Sequence, residues 1–196
     1  MIASSWDYLI VSASNEIQAR SYEHKLALRQ ELGLLPYVRE VIVVPDPGGR
    51  RIGSGGSTIY CLLEVLNREL QQGSGNKGTE ACQSILDKLR ILIVHAGGDS
   101  RRLPVYSPCG KIFFPVPGES DCCLPLTLFD RQLPTYSKLP APEAGAGQVV
   151  ITSGDVLLRF EPEQVRFAKE GLTGLGCYAS TEQGKNHGVF CRGEGE

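Results

Sequence analysis

Hydrophobic and polar positions alternate along the chain in short, well-separated blocks. Residues 8–12 (YLIVS) are an apolar run bounded by polar residues, which predicts a buried strand. Asn15 is placed to cap a helix from Glu16 to about Leu32, on which Ile17, Tyr22, Leu26 and Leu32 loosely share a face before Gly33 ends it. Residues 41–44 (VIVV) predict a second buried strand, stopped by the turn-forming Pro45-Asp46-Pro47-Gly48-Gly49. After Gly53-Ser54-Gly55-Gly56, residues 57–70 place Ile59, Leu62, Leu63, Leu66 and Leu70 at helical spacing. This is the clearest amphipathic segment.

A polar stretch at 71–77 precedes a further expected helix at 79–89, with Cys82, Ile85, Leu86 and Leu89 on one side. Residues 91–94 (ILIV) are continuously apolar, the pattern of a strand buried on both faces. A helix over 126–136 carries Pro134, which is expected to kink or end it. A Pro/Ala/Gly connection follows at 140–147, then a strand at 149–152 and another expected at 174–179. Apolar strands alternating with helices predict an α/β fold, a mostly parallel sheet flanked by helices, and no internal repeat is visible. In such sheets ligands bind beyond the carboxyl ends of the strands, so the loops after strands are the places to search.

Composition narrows the class. The chain has 196 residues, 20 Lys plus Arg against 22 Asp plus Glu, and a net charge of −2. That length suits one domain over 1–196, or a piece of a larger one. A near-neutral balance argues against a nucleic-acid partner, which calls for a clustered basic excess. The apolar runs fall far short of the roughly 18 residues needed to span a bilayer, so no membrane partner is expected. No Lys or Arg precedes Arg20, which is unlike the basic start of a secretory signal, and a cytoplasmic location is the expectation. The seven cysteines form no C-x-x-C pair, and His24, His95 and His187 are scattered. Reduced thiols fit better than a disulfide framework or structural zinc.

The loop after residues 91–94 carries the strongest chemistry. It reads His95-Ala96-Gly97-Gly98-Asp99-Ser100-Arg101-Arg102-Leu103-Pro104, and Gly110-Lys111-Ile112-Phe113-Phe114-Pro115-Val116 follows shortly after. Glycines leaving a buried strand let backbone N–H groups approach an anion, Arg102 offers a planar fork for phosphate, and Lys111 a compact charge. Lys111 is followed by Ile112, so this is not the G-K-S/T phosphate loop. Gly53 and Gly55 sit in a second glycine-rich loop before a helix, which reads equally as an anion site at a helix amino end or as a structural turn. Asp155, after the strand at 149–152, reads equally as a hard oxygen ligand for Mg2+ or as a turn residue. His95 reads as a satisfied supporting residue rather than a general base.

Residues 93–116 resemble the signature of sugar-phosphate nucleotidyltransferases, A-G-G-x-G-T-R-L followed by P-K-x-x-x-P-V. Ala96, Gly97, Gly98, Arg102, Leu103, Lys111, Pro115 and Val116 match it, whereas Ser100, Arg101 and Gly110 stand where the signature has glycine, threonine and proline. Together with the segments at 45–47, 51–55, 153–156 and 187–189, the wording is similar to the GDP-fucose pyrophosphorylase half of fucokinase/fucose pyrophosphorylase proteins. The resemblance implies a Rossmann-like nucleotidyltransferase domain that joins GTP and fucose-1-phosphate, releasing pyrophosphate. It implies that Gly97, Gly98 and Ser100 hold nucleotide phosphates, that Arg102 stabilises the departing pyrophosphate and that Lys111 contacts phosphate at the reacting centre. It further implies Asp155 as a Mg2+ ligand, His187 and Gly188 as sugar contacts, and a fucokinase domain in a longer chain. Two alternatives stand beside it: a sugar kinase, and a nucleotide-binding fragment without turnover. The second takes its support from the acidic segment expected after residue 191, which the chain lacks, so that the domain reads as incomplete at its carboxyl end.

Overall fold

The computed structural model describes residues 5–72, 78–98, 104–107, 109–143, 146–169 and 171–185. It divides into two units, Met1–Val165 and Arg166–Glu196. The first contains a four-stranded, wholly parallel sheet of order β2-β1-β3-β4, built from β1 (Trp6–Ala13), β2 (Val38–Pro45), β3 (Arg90–His95) and β4 (Gln148–Ser153). The expected α/β class and the four strands expected in this unit are all present. Each runs one to three residues past its expected ends; the apolar run is buried throughout in β1 and β3, whereas in β4 Val149 and Ile151 are exposed.

Side chains alternate between two cores. Leu9 and Val11 of β1, and Leu92 and Val94 of β3, pack on one face of the sheet against Tyr22, Leu26, Phe129, Leu133 and Tyr136. On the other face Tyr8, Ile10, Ile91 and Ile93 pack against Cys61 and Val65. Helices α1 (Glu16–Glu31) and α4 (Leu128–Ser137) cover the first face, and α2 (Gly53–Gln72) and α3 (Thr79–Leu86) the second. This is the double covering that continuous apolar strands demand.

The cap expected at Asn15 forms, its side chain accepting from the Gln18 N–H at 2.9 Å. Helix α4 opens on a capping box between Thr127 and Asp130 and runs three residues past Pro134. Pro134 therefore sits inside the helix, where its missing N–H removes the i→i−4 bond to the Asp130 carbonyl, and the helix stops less than one turn later.

Two expectations are corrected. The face of α2 turned to the sheet carries Ser57, Cys61 and Val65, while Ile59 and Leu63 are 63% and 49% exposed. Small residues at 57 and 61 let the helix lie close on the sheet, so the most apolar stripe is not the buried one. No strand forms at 174–179; these residues have no regular secondary structure and are exposed. Two glycines, Gly174 and Gly176, and no β-branched residue within that stretch leave little to favour a ladder. The second unit contains one short helix, α5 (Thr181–Gly184), with Ser180 and Gln183 forming a capping box.

Candidate functional site

The carboxyl ends of β1, β2 and β3 open into one cleft of about 250 Å³, lined by Ser12, Ala13, Ser14, Asp46, Arg51, Gly53, Ser54, Ser57, His95, Gly97 and Gly98. The cleft therefore joins the two glycine-rich loops that lie 44 residues apart between Gly53 and Gly97. Gly53 and Gly55 turn out to be the first turn of α2 rather than a loop ahead of it. Gly53 starts that turn with φ +73°, a conformation cheap only for glycine.

Helix α1 holds the glycine loop in place. Tyr22 Oη donates to the Ala96 carbonyl at 3.0 Å, and Gln18 Nε2 to the Gly98 carbonyl at 3.3 Å. Gln18 Oε1 in turn accepts from the N–H and hydroxyl of Ser14. With the carbonyls of Ala96 and Gly98 tied back to α1, the site is organised from behind by side chains rather than by the loop itself.

Lys111 and Asp155 meet beside the cleft, at the carboxyl end of β4. Lys111 Nζ donates to Asp155 Oδ2 at 2.9 Å, and Ser153 Oγ donates to Asp155 Oδ1 at 2.8 Å. The hydrogen bond from Lys111, then that from Ser153, holds the Asp155 carboxyl below its ordinary range against the opposing effect of burial. It is thus an ionised carboxylate at neutral pH, about half exposed at 46%. A hard cation that also takes phosphate oxygens fits a lone carboxylate flanked by a hydroxyl. Among the described residues no group of three or more His, Cys, Asp or Glu comes together.

Gly110 explains one departure from the nucleotidyltransferase signature. Its φ is +67°, which proline cannot adopt, and an added Cβ would lie 1.8 Å from Tyr22 Oη. Glycine here lets the lysine loop pass over the tyrosine that anchors Ala96. Behind it, Gly154 donates its N–H to the His95 carbonyl at 2.8 Å, tying the Asp155 turn to the end of β3.

Asp46, Ser12, Ser14 and Gln18 were not among the residues singled out from sequence, and His95 was read there as a supporting residue. His95 is half-buried between Ser12 Oγ (3.2 Å from Nδ1) and Thr58 Oγ1 (2.9 Å from Nε2). Burial lowers its pKa and nearby Asp46 acts in the opposite direction. Asp46 is itself shifted upward, first by burial, with Arg51 and then His95 countering. Ser100, Arg102, His187 and Gly188 lie outside the described residues; of the rest of the expected set, Gly53, Gly97 and Gly98 share one cleft, Lys111 and Asp155 pair at the end of β4, and Gly55 is not among the residues lining the cleft. No described helix is long and apolar enough to cross a membrane.

The fucose pyrophosphorylase domain model matches residues 83–196. A fucose-1-phosphate guanylyltransferase of Mus musculus is 32% identical over 94% of this chain and 29% of its own length. A bifunctional fucokinase/GDP-fucose pyrophosphorylase of Arabidopsis thaliana is 29% identical over 98% of this chain and 19% of its own. An L-fucokinase/L-fucose-1-P guanylyltransferase of Bacteroides fragilis is 35% identical over 74% of this chain and 15% of its own. The chain thus spans less than a third of the length of these relatives, and no solved structure matches it.

Proposed function

From the premise that the chain belongs to the fucose pyrophosphorylase family, we propose that it carries the nucleotide half of a guanylyltransferase site. That site joins GTP and fucose-1-phosphate to give GDP-fucose and pyrophosphate. The observation that carries this reading is the Lys111–Asp155 pair beside the glycine loop: a phosphate-seeking cation and a magnesium-seeking carboxylate at adjoining strand ends. The reaction is attack of a sugar-phosphate oxygen on the α-phosphorus, with the P–O bond to pyrophosphate breaking in line. It needs no protein nucleophile; positioning and charge neutralisation supply the rate.

In this reading the N–H groups of Gly97, Gly98 and Ser100 hold phosphate oxygens, with the first turn of α2 at Gly53 and Gly55 as the opposite wall. Lys111 leaves Asp155 to neutralise charge at the α-phosphate, and Arg102 stabilises the departing pyrophosphate. Asp155, once released, would hold Mg2+ with Ser153 beside it, and that ion would offset phosphate charge as a Lewis acid. His187 and Gly188 take the sugar. The domain matched is the pyrophosphorylase, which favours guanylyl transfer over a sugar kinase. Six free cysteines among the described residues accord with a cytoplasmic setting.

The test is pyrophosphate release from GTP and fucose-1-phosphate, measured with GTP affinity on the same sample of the chain. Lys111→Ala is expected to lower release at least about 100-fold, the scale of losing one charge-stabilising donor. Undiminished release in Lys111→Ala would sink the assignment. GTP binding without release in the unmodified chain would instead support a nucleotide-binding fragment without turnover.

A further inference from the structure

The carboxyl ends of the strands present their chemistry in a line set by the sheet order. Asp155 follows β4, Gly97 and Gly98 follow β3, Ser14 follows β1 and Asp46 follows β2. Asp46 is seated firmly: its N–H donates to the Ala13 carbonyl at 2.8 Å and its own carbonyl accepts from Gly49 at 3.0 Å. Pro47 after it keeps its backbone extended, at φ −59° and ψ 133°, so the turn holds the carboxylate in one place. That carboxylate lines the same cleft as the glycine loop, with Arg51 and His95 as the charged and titratable groups that face it. Burial raises its pKa, and the attraction of Arg51 and then His95 offsets only part of that rise.

A carboxylate facing a ligand site repels phosphate and calls for N–H or O–H donors. Strands in a sheet are spaced about 4.8 Å apart, so the end of β2 lies roughly 10 Å from the end of β3. With phosphates on the β3 loop, that distance reaches the far edge of a nucleobase; the ribose hydroxyls lie only about half as far from the α-phosphate, beside β1. Of the nucleobases, guanine alone presents two adjacent N–H donors on that edge, the ring N1–H and the exocyclic N2 amino group. Adenine places an acceptor at N1, which a carboxylate repels. We infer that Asp46 is the specificity-determining residue that reads guanine, its two oxygens accepting from N1–H and N2–H. This rests on the guanylyl-transfer reading above and adds to it the group that selects the base. A site built to pair with a ligand's donors discriminates strongly against analogues that lack them, because its own polar group is then left buried and unpaired.

The experiment is calorimetric titration of the chain and of Asp46→Asn with GTP, ITP, ATP and 2′-deoxy-GTP in the presence of Mg2+. ITP is the telling probe, since it differs from GTP only by lacking the exocyclic amino group. The chain is expected to bind GTP about ten-fold or more tighter than ITP, the scale of one hydrogen bond to a charged group. ATP should be weaker than ITP, and 2′-deoxy-GTP equal to GTP. Asp46→Asn should bring GTP and ITP within about two-fold of each other while its melting temperature stays at that of the unmodified chain; Asp46→Ala should do the same. A GTP preference that survives both substitutions overturns the inference and leaves guanylyl transfer standing. Loss of affinity for 2′-deoxy-GTP with ITP unaffected also overturns it, by putting the carboxylate on the ribose. Failure of the unmodified chain to bind any triphosphate overturns both this inference and the function on which it rests.

Discussion

The His95 relay permits a prediction in which every proton is accounted for. Thr58 has one hydroxyl proton and donates it to the Ser54 carbonyl at 2.9 Å, so at 2.9 Å from His95 Nε2 it acts as acceptor. The ring proton is thereby assigned to Nε2, and Nδ1 is left to accept from Ser12 Oγ at 3.2 Å. Ser12 Oγ, its proton spent, accepts from the Ala96 N–H at 3.2 Å. One directional chain thus runs from Ala96, at the root of the glycine loop, to Ser54 in the first turn of α2. It requires a neutral imidazole, in keeping with the lowered pKa that burial imposes.

Thr58→Val keeps the shape and removes the acceptor. A half-buried Nε2–H is then stranded, at a cost of about 1–2 kcal/mol, the lower part of the range for an unpaired buried donor. For a chain of this size that corresponds to a fall of about 3–6 °C in melting temperature. Thr58→Ser retains the hydroxyl and should recover most of the loss. The pH dependence follows from the sign of the shift. The folded pKa lies below the ordinary 6.5, so beneath pH 6.5 the unfolded chain binds a proton that the folded chain refuses. Stability is complete above that pH and declines as pH falls from 6.5 towards the folded pKa, and His95→Gln should remove this component. Thermal melts from pH 5 to pH 8 on the four proteins make the measurement. The reasoning is refuted if Thr58→Val melts with the unmodified chain, or if Thr58→Ser falls as far as Thr58→Val.

Two further outcomes concern the support beneath the site. Arg29, its side chain 5% exposed, grips Asp130 through Nε–Oδ1 and Nη2–Oδ2 contacts of 2.7 and 2.8 Å, joining α1 to α4. Arg29→Met strands the carboxylate and should cost about 3–5 kcal/mol in urea unfolding. Burial alone would raise the Asp130 carboxyl, but hydrogen bonds from Arg29 and Thr127 outweigh it and hold it below its ordinary value. This contribution is present above the unfolded pKa of about 4 and lost as pH falls through the folded one, so acid unfolding of Arg29→Met should begin at higher pH. At Gly110, alanine brings a Cβ to 1.8 Å from Tyr22 Oη at φ +67°, and Gly110→Ala should lower the urea midpoint by the equivalent of about 2–4 kcal/mol. An unchanged midpoint would mean that the lysine loop moves freely over Tyr22.

The parts of the fold that a local pattern determines were legible, and those that depend on which surfaces meet were not. The runs at 8–12 and 91–94 became the central strands because a parallel sheet covered on both faces needs unbroken apolar residues there, those at 41–44 and 149–152 became the outer strands, the last with Val149 and Ile151 exposed, and Asn15 capped α1 because its side chain satisfies an orphan N–H wherever the helix later packs. Helix α2 was misread because periodicity selects the stripe with most apolar area, whereas the sheet accepted Ser57, Cys61 and Val65, which allow close approach. The same distinction governs the site. Gly97, Gly98 and Lys111 announce phosphate chemistry in their own segments, Asp155 reads equally as a turn residue until the family resemblance is added, and the fold brought Lys111 to Asp155 across 44 residues. Asp46 made no such announcement, since a Pro-Asp-Pro-Gly-Gly stretch is already accounted for as a turn. Its meaning depends on β2 lying one strand beyond β1, so that a turn carboxylate ends in the cleft of a glycine loop some fifty residues later. The usable signal was topological: once the apolar strands predict a parallel sheet, the residue leaving each strand's carboxyl end is a site candidate even when the turn alone explains it.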